Sequence, residues 1–339
     1  MALGSTGAMR MGADVNVELG SASTTQISLG QESVRTLIGV ASGAVRFPTN
    51  FYGKSSGPTP TIGLFYGAYQ CNLVTRINAC GALVGSETNV GTGRYHLAGA
   101  TVGSNGLFYG GIDCTYCVTN KATRINACGA LVGSETNVGT ARQALAGATV
   151  GSNGLFYGGV GPFFPTNLAT RINACGALVG SQTNVGTAVY FLAGATVGSN
   201  GLFYGGICST YYAPSNLAAR INACGALVGS QTNVGSARVA IAGATVGSNG
   251  LFYGGCNVCI GMCSNRIATR INACGALVGS ETNVGTGGYS AGATVGSNGL
   301  FYTGNKATRI NACGALVGSE TNVGTSRSGT AGALSLIHI

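Results

Sequence analysis

Arg124-Ile125-Asn126-Ala127-Cys128-Gly129-Ala130-Leu131-Val132-Gly133-Ser134 is the stretch that decides the fold, because the same string starts again at Arg76, Arg171, Arg220, Arg270 and Arg309. The spacings are 48, 47, 49, 50 and 39 residues. A second string, Ala-Gly-Ala-Thr-Val-Gly-Ser-Asn-Gly-Leu-Phe-Tyr, starts at Ala98, Ala146, Ala193, Ala242 and Ala291. Together they make a tandem array from about Ile62 to Ala333. Turn residues divide each unit into four short strands. In the unit around Tyr95, strand a covers residues 95–102 and Gly103-Ser104-Asn105-Gly106 is a turn, where Asn-Gly between apolar runs is a hairpin signal. Strand b covers 107–109 and ends at Gly110-Gly111; strand c covers 122–126; Asn126-Ala127-Cys128-Gly129 turns the chain; strand d covers 130–136. Four strands in about 47–50 residues is the period of a propeller blade.

Composition agrees with such an array. Glycine accounts for 60 of 339 residues without a collagen triplet, and only 17 basic and 8 acidic residues occur. No apolar window is long enough to span a membrane, and the start lacks the pattern of a secretory signal. The net charge of +9 is dispersed, with no Lys/Arg run, so no nucleic-acid partner is expected. Of 13 cysteines, Cys80, Cys128, Cys175, Cys224, Cys274 and Cys313 share one repeated position. Equivalent points on neighbouring blades are too far apart for a disulfide, so these six read as reduced and half-buried, as in a chain folded in a reducing cytoplasm.

The elements Phe108-Tyr109-Gly110-Gly111, the variable loop behind them and the hairpin around Asn126 resemble the kelch family over about 270 residues. That resemblance implies an all-β fold, a kelch-like β-propeller of six four-stranded antiparallel blades, with a small N-terminal extension. The chain departs from kelch repeats in having no Trp, and Leu131 and its equivalents are expected to fill that space. The first unit lacks a strand a, whereas residues 327–333 hold an unused one, so the tail is expected to pair with residues 62–66 and complete the first blade. The alternative is a truncated seven-bladed ring. The final Leu334-Ser335-Leu336-Ile337-His338-Ile339 is what CTGTCTCTTATACACATC encodes, which resembles the mosaic-end adapter of transposase-made sequencing libraries. On that reading residues 334–339 are an adapter artefact of a metagenomic read and the natural chain continues past Ala333.

Residues 1–56 are not repeated. Residues 13–19 and 31–38 are helix candidates, and 55–60 read as a linker. The run Ile27-Ser28-Leu29-Gly30, Ser33-Val34-Arg35, Gly39-Val40-Ala41-Ser42-Gly43-Ala44-Val45 and Phe51-Tyr52-Gly53-Lys54 resembles the start of structural proteins of tailed marine bacteriophages. The resemblance implies a virion-attachment module that contacts other virion proteins.

In a four-strand meander the a–b and c–d turns share one end of the sheet, and the b–c and d–a connections share the other. The first pair is constant between copies; the second varies. The b–c loops at 112–119, 160–167, 207–216 and 256–267, and the d–a segments, carry Tyr69, Tyr95, His96, Tyr116, Phe163, Phe164, Tyr190, Phe191, Tyr211, Tyr212 and Tyr289. Variation and aromatics confined to one face suggest a recognition surface. Drift of unconstrained loops is the plainer reading, but drift alone does not select aromatics.

Catalytic chemistry is sparse. Glu87, Glu135, Glu281 and Glu320 are equivalents, replaced by Gln182 and Gln231 in two units, and Asp113 stands alone on a loop. No catalytic residue, glycosidase carboxylate pair or His-rich metal site is expected. The repeated Arg76-type and Glu87-type residues read as cross-strand pairs. Cys114-x-x-Cys117 and Cys256-x-x-Cys259-x-x-x-Cys263 have thiolate spacing for zinc but sit in different units, so loop disulfides are an equal reading and no cofactor is expected. The expectation is a non-enzymatic phage tail-fibre or receptor-binding protein of the virion, made in the host cytoplasm, whose loop face binds a host cell-surface glycan or protein. A cellular kelch-like interaction scaffold is the alternative, and a propeller enzyme the third.

Overall fold

A computed structural model describes residues 61–69, 71–257 and 265–336. The proposed attachment module at 1–56, Cys259 and Cys263 lie outside the described residues.

All regular structure among the described residues is β. The second unit is representative: Ala98–Val102, Asn105–Tyr109, Lys121–Ile125 and Thr136–Asn137 form one antiparallel sheet in sequence order. The next three units repeat this order, and the six Arg-Ile-Asn copies fall in six separate sheets. In the last, strands b and c run together as Asn298–Ile310, because only Thr303-Gly304-Asn305 separates them.

The first sheet is completed from the far end of the array. Ala331–Leu336 pairs antiparallel with Thr61–Ala68, with Leu64 opposite Ala333 and Tyr66 opposite Ala331. This is the pairing expected from the unused strand a, and the backbone ladder runs on to Leu336 opposite Thr61.

Two local expectations change. The a–b hairpin turns on Gly103-Ser104, since Val102 pairs with Asn105, and positive φ falls on Gly103 (+59°). Asn105-Gly106 therefore belongs to strand b; glycine at the first central position is the type II′ requirement. Strand d is only Thr136–Asn137, not 130–136, with a single bridge from Ile125 to Leu131 before it. Asn126 Oδ1 accepts from the Cys128 and Ala130 amides at 3.0 and 2.9 Å, which bends the chain off the sheet. Gly133 then bows over the Arg124 guanidinium, 2.7 Å from where a Cβ would sit.

Neighbouring sheets pack through the same contacts each time. Phe108 meets Tyr66 of the preceding sheet with ring centroids 5.2 Å apart, and the series continues through Tyr109–Phe156, Tyr157–Phe203, Tyr204–Phe252 and Tyr253–Phe301. Phe65 and Tyr302 bring the first and last sheets together at 5.3 Å. These fully buried rings are the inter-sheet core. Leu131 is only half-buried, and Leu83, Leu178, Leu277 and Leu316 are exposed, so this leucine does not replace a core tryptophan. Each strand a also crosses its neighbour at glycine: a Cβ on Gly99, Gly147, Gly194, Gly243 or Gly292 would lie 2.2–2.3 Å from the carbonyl oxygen of Gly332, Gly99, Gly147, Gly194 or Gly243 respectively.

The repeated arginine and glutamate do not pair with each other among the described residues. Arg124 donates to Ala174 O of the next sheet at 3.2 Å, and Arg309 to Ala79 O of the first at 3.3 Å. Glu135 instead accepts from the Thr92 amide and hydroxyl, at 3.1 and 2.6 Å, and faces Arg94 at 3.9 Å. Both residues tie sheets together, because strand d is too short to hold them opposite one another. The repeated cysteines are free, as expected, but exposed rather than half-buried. They stand at the tip of the Asn-Ala-Cys-Gly turn, where only the Cys backbone amide is engaged.

Candidate functional site

Register fixes which segments meet. Gly106 at the start of strand b lies opposite Ile125 at the end of strand c, so the a–b and c–d turns share one end. Tyr109 lies opposite both Ala98 and Ala122, which brings the b–c loop and the d–a segment to the other end. The b–c loops then fold back onto the d–a segments: Arg94 and Tyr95 pair with Asp113 and Ile112, and Val189 and Tyr190 with Cys208 and Ile207. The double glycine permits this fold-back. Gly110 and Gly111 have φ of +72° and +98°, and Cβ atoms there would come within 2.4 Å of Arg142 O and 2.8 Å of Tyr95 O.

The d–a segments are joined to each other. His96, Ala144, Phe191 and Ala240 occupy one equivalent position, and all have left-handed φ of 54–56°. Gly329 takes the same place at +72°. Each amide donates to the carbonyl of the preceding member: His96 to Gly329 at 3.1 Å, Ala144 to His96 at 2.7 Å, Phe191 to Ala144 and Ala240 to Phe191 at 2.8 Å. Left-handed geometry costs about 1–2 kcal/mol at a non-glycine residue, and four such residues in register are the kind of stored strain found at ligand sites.

The residues of this hydrogen-bonded series, together with Tyr289 and Ser290, line a cup of about 430 Å³. Leu97, Leu145, Leu192, Ile241, Ser290 and Thr330 share one repeat position in its lining, and Tyr69, Tyr95, His96, Phe191, Tyr289 and Ser328 also line it. Most of the aromatics touch. Tyr69 and Tyr95 are 5.4 Å apart, Tyr95 and His96 4.9 Å, and His96 meets Phe191 edge-on at 5.0 Å across the small Ala144. The lining holds no Asp, Glu, Lys or Arg. Burial holds the His96 imidazole below its ordinary pKa, with a Gln143 hydrogen bond acting in the opposite sense. Its Nδ1 is buried without a hydrogen-bond partner.

The residues singled out in the sequence therefore separate. Tyr95, His96, Phe191 and Tyr289 line the cup. Tyr190 packs beside Phe191 against Ile207, Val239 and Cys256. Tyr116, Phe163, Phe164, Tyr211 and Tyr212 stand on the outer loops, with Phe163 84% and Tyr211 80% exposed. Tyr116 reaches back to share a hydrogen bond between its hydroxyl and that of Tyr69. Ser328, Gly329 and Thr330 also line the cup, although in the sequence they read as part of the unused strand a at 327–333, which the structure begins only at Ala331. Aligning Gly329 with His96 and Phe191 is the signal that finds them.

Part of the variable face is structural. Arg94, Arg142 and Arg238 are fully buried. Arg94 Nη1 donates to Gly110 O and Lys121 O, both at 2.7 Å, and its guanidinium lies 5.8 Å from the Tyr66 ring centre. Arg142 makes the equivalent bonds to Gly158 O and Leu168 O but faces Gln182, not a carboxylate. Burial alone would raise the carboxyls of Glu87, Glu135, Glu281 and Glu320. Hydrogen bonds from flanking Thr or Ser residues, with help from a nearby cation, bring all four below the usual range.

Cys114 and Cys117 are free and exposed, on a turn held by Asp113 Oδ1, which accepts from the Thr115 and Cys117 amides at 2.9 and 3.0 Å. Cys256 is disulfide-bonded and so offers no thiolate to a metal; its partner lies outside the described residues. Among the described residues no three His, Cys, Asp or Glu side chains converge as metal ligands.

No protein-family model matches the chain, and no curated protein matches it either.

Proposed function

We propose that the six sheets are the blades of one closed, kelch-like ring, and that this ring is the recognition head of a bacteriophage virion appendage. The return of each inter-sheet contact from the last sheet to the first supports closure: Phe65 on Tyr302, Arg309 on Ala79, and Thr321 Oγ1 on Gly81 O at 2.6 Å. The kelch likeness rests on the sequence run Phe108-Tyr109-Gly110-Gly111 and its repeats. The phage assignment rests on the resemblance of residues 27–54 to phage structural proteins, and residues 1–56 then contact other virion proteins.

One observation carries recognition. The repeat is a fixed frame, and five of the side chains that differ from copy to copy, Tyr69, Tyr95, His96, Phe191 and Tyr289, line one cup without Asp, Glu, Lys or Arg. In this reading the head binds a glycan or protein on the host cell surface. The lone Asp113 is engaged in a turn and the repeated glutamates bind Thr or Ser and backbone, which favours binding over catalysis.

The test is adsorption. Fluorescently labelled protein is mixed with a panel of bacterial strains, alongside a Tyr95→Ala/Phe191→Ala variant. Adsorption to particular strains that the variant loses is the expected result. Equal adsorption by both proteins moves recognition off the cup, and adsorption to none of the strains counts against a recognition head. Tail or capsid genes beside this one on its contig test the virion assignment separately.

A further inference from the structure

We propose that the cup takes a neutral pyranose unit at the exposed end of a glycan, and discriminates against acidic sugars; this rests on the reading of the ring as a recognition head. Three features of the cup carry it. Its lining offers ring faces and edges from Tyr69, Tyr95, His96, Phe191 and Tyr289, which suit the C–H face of a pyranose. Ser328 and Thr330 add to the lining hydroxyls that both donate and accept, as sugar hydroxyls require, while the Ser290 hydroxyl is engaged by Thr303 and Gly288 O. The volume, about 430 Å³, lies in the lower part of the roughly 300–1,000 Å³ range of small-ligand pockets.

Charge decides the class. No acidic or basic side chain lines the cup. A carboxylated sugar seated there loses part of its hydration and gains no countercharge, which is costly, whereas a neutral hexose loses only hydroxyl hydration that the lining replaces. The one ionisable side chain in the lining besides tyrosine is His96, whose Nδ1 is buried away from the cup. His96 faces the rings of Tyr95 and Phe191 and the Gln143 side chain. A protein epitope is the less favoured occupant: a specific protein interface of about 1,200–2,000 Å² would rest mainly on the outer loops that carry Phe163, Phe164 and Tyr211.

The experiment is a glycan array printed with neutral hexose-terminated and with sialic- or uronic-acid-terminated oligosaccharides. It is probed with the full chain, with Tyr95→Ala, with Ser328→Lys and with Phe163→Ser. The expected result is binding to a subset of neutral glycans, weakened about tenfold by loss of one stacking ring in Tyr95→Ala. Phe163→Ser, outside the cup, leaves it unchanged. Ser328→Lys places an ammonium at the rim and raises binding to acidic glycans. Wild-type preference for acidic glycans overturns the proposal while leaving a recognition head intact. So does adsorption to cells with no array binding, or array binding that Phe163→Ser abolishes and Tyr95→Ala does not. Failure of both array binding and cell adsorption removes the recognition reading with it.

Discussion

Gly147→Ala tests the packing of adjacent sheets through the sign of its effect. Gly147 sits inside strand Ala146–Val150 with no positive φ, so alanine suits its backbone. In an isolated sheet the exchange stabilises by about 0.4–1 kcal/mol, because alanine restricts the unfolded chain. Here a Cβ at Gly147 would lie 2.3 Å from Gly99 O and 2.9 Å from Gly99 C of the neighbouring strand. Both are backbone atoms, so relief requires one sheet to move from the other, which costs about 1–3 kcal/mol. The clash outweighs the entropy gain, and the net is a loss of about 1–2 kcal/mol. At roughly 2 °C per kcal/mol for a domain of this size, Tm falls by about 2–4 °C. Gly161→Ala is the control: its Cβ would meet Phe164 O at 3.5 Å, an ordinary contact, and Tm should not fall. Thermal unfolding followed by circular dichroism reads both. A Gly147→Ala protein as stable as wild type, or more so, would refute the close glycine crossing and the packing built on it.

Arg94→Val should destabilise more than Arg142→Val, since it leaves Glu135 without its guanidinium, whereas Arg142 faces Gln182 and becomes the Val189–Gln231 pairing already present one sheet on. The difference should be about 1–2 kcal/mol in urea unfolding, and equal losses would argue against the Arg94–Glu135 contact. For acid, the four glutamates have folded pKa values below their unfolded ones, so their stabilisation is complete above about pH 4.5 and is lost as pH falls through the folded values. Denaturation midpoints at pH 6 and pH 3 should differ less in a variant with all four changed to Gln; an unchanged pH dependence would discard that source. A thiol reagent on the native chain should react rapidly with the free exposed cysteines Cys80, Cys114, Cys117, Cys128, Cys175, Cys224, Cys274 and Cys313, and slowly with buried Cys208. Protection of the six turn cysteines, read by peptide mass spectrometry, would contradict the exposed turn.

The repeat strings made strands a, b and c legible, because short apolar runs bounded by glycine have few other solutions. The terminal pairing was legible too, since only one strand a lacked a partner. Strand d was not, because Ala130-Leu131-Val132 looks like a strand while the bend comes from one Asn126 side chain and a left-handed Gly133. The cup was half legible. Aromatics at variable positions pointed to the correct end of the sheets, but nothing in their spacing separates Phe191, held inward by its left-handed backbone, from Phe163 on an outer loop. Buried Arg94 and Arg142 looked like surface variation because two of the atoms that bind each are backbone carbonyls, which leave no mark in a sequence.

The pairing of Thr61–Ala68 with Ala331–Leu336 has a consequence for biosynthesis. Thr61–Ala68 leaves the ribosome well before its partner Ala331–Leu336, so that edge stays open while the intervening sheets are made. Every strand a emerging meanwhile carries the same Ala-Gly-Ala, and so does the tail of any neighbouring nascent chain on the polysome. Nothing in that motif tells self from neighbour. What favours self is tethering: the correct tail arrives at high effective concentration once the intervening sheets have packed. Slow elongation or crowded ribosomes shift that contest, and the expected by-product is an exchanged dimer, the first sheet of each chain completed by the other's Ala331–Leu336 strand.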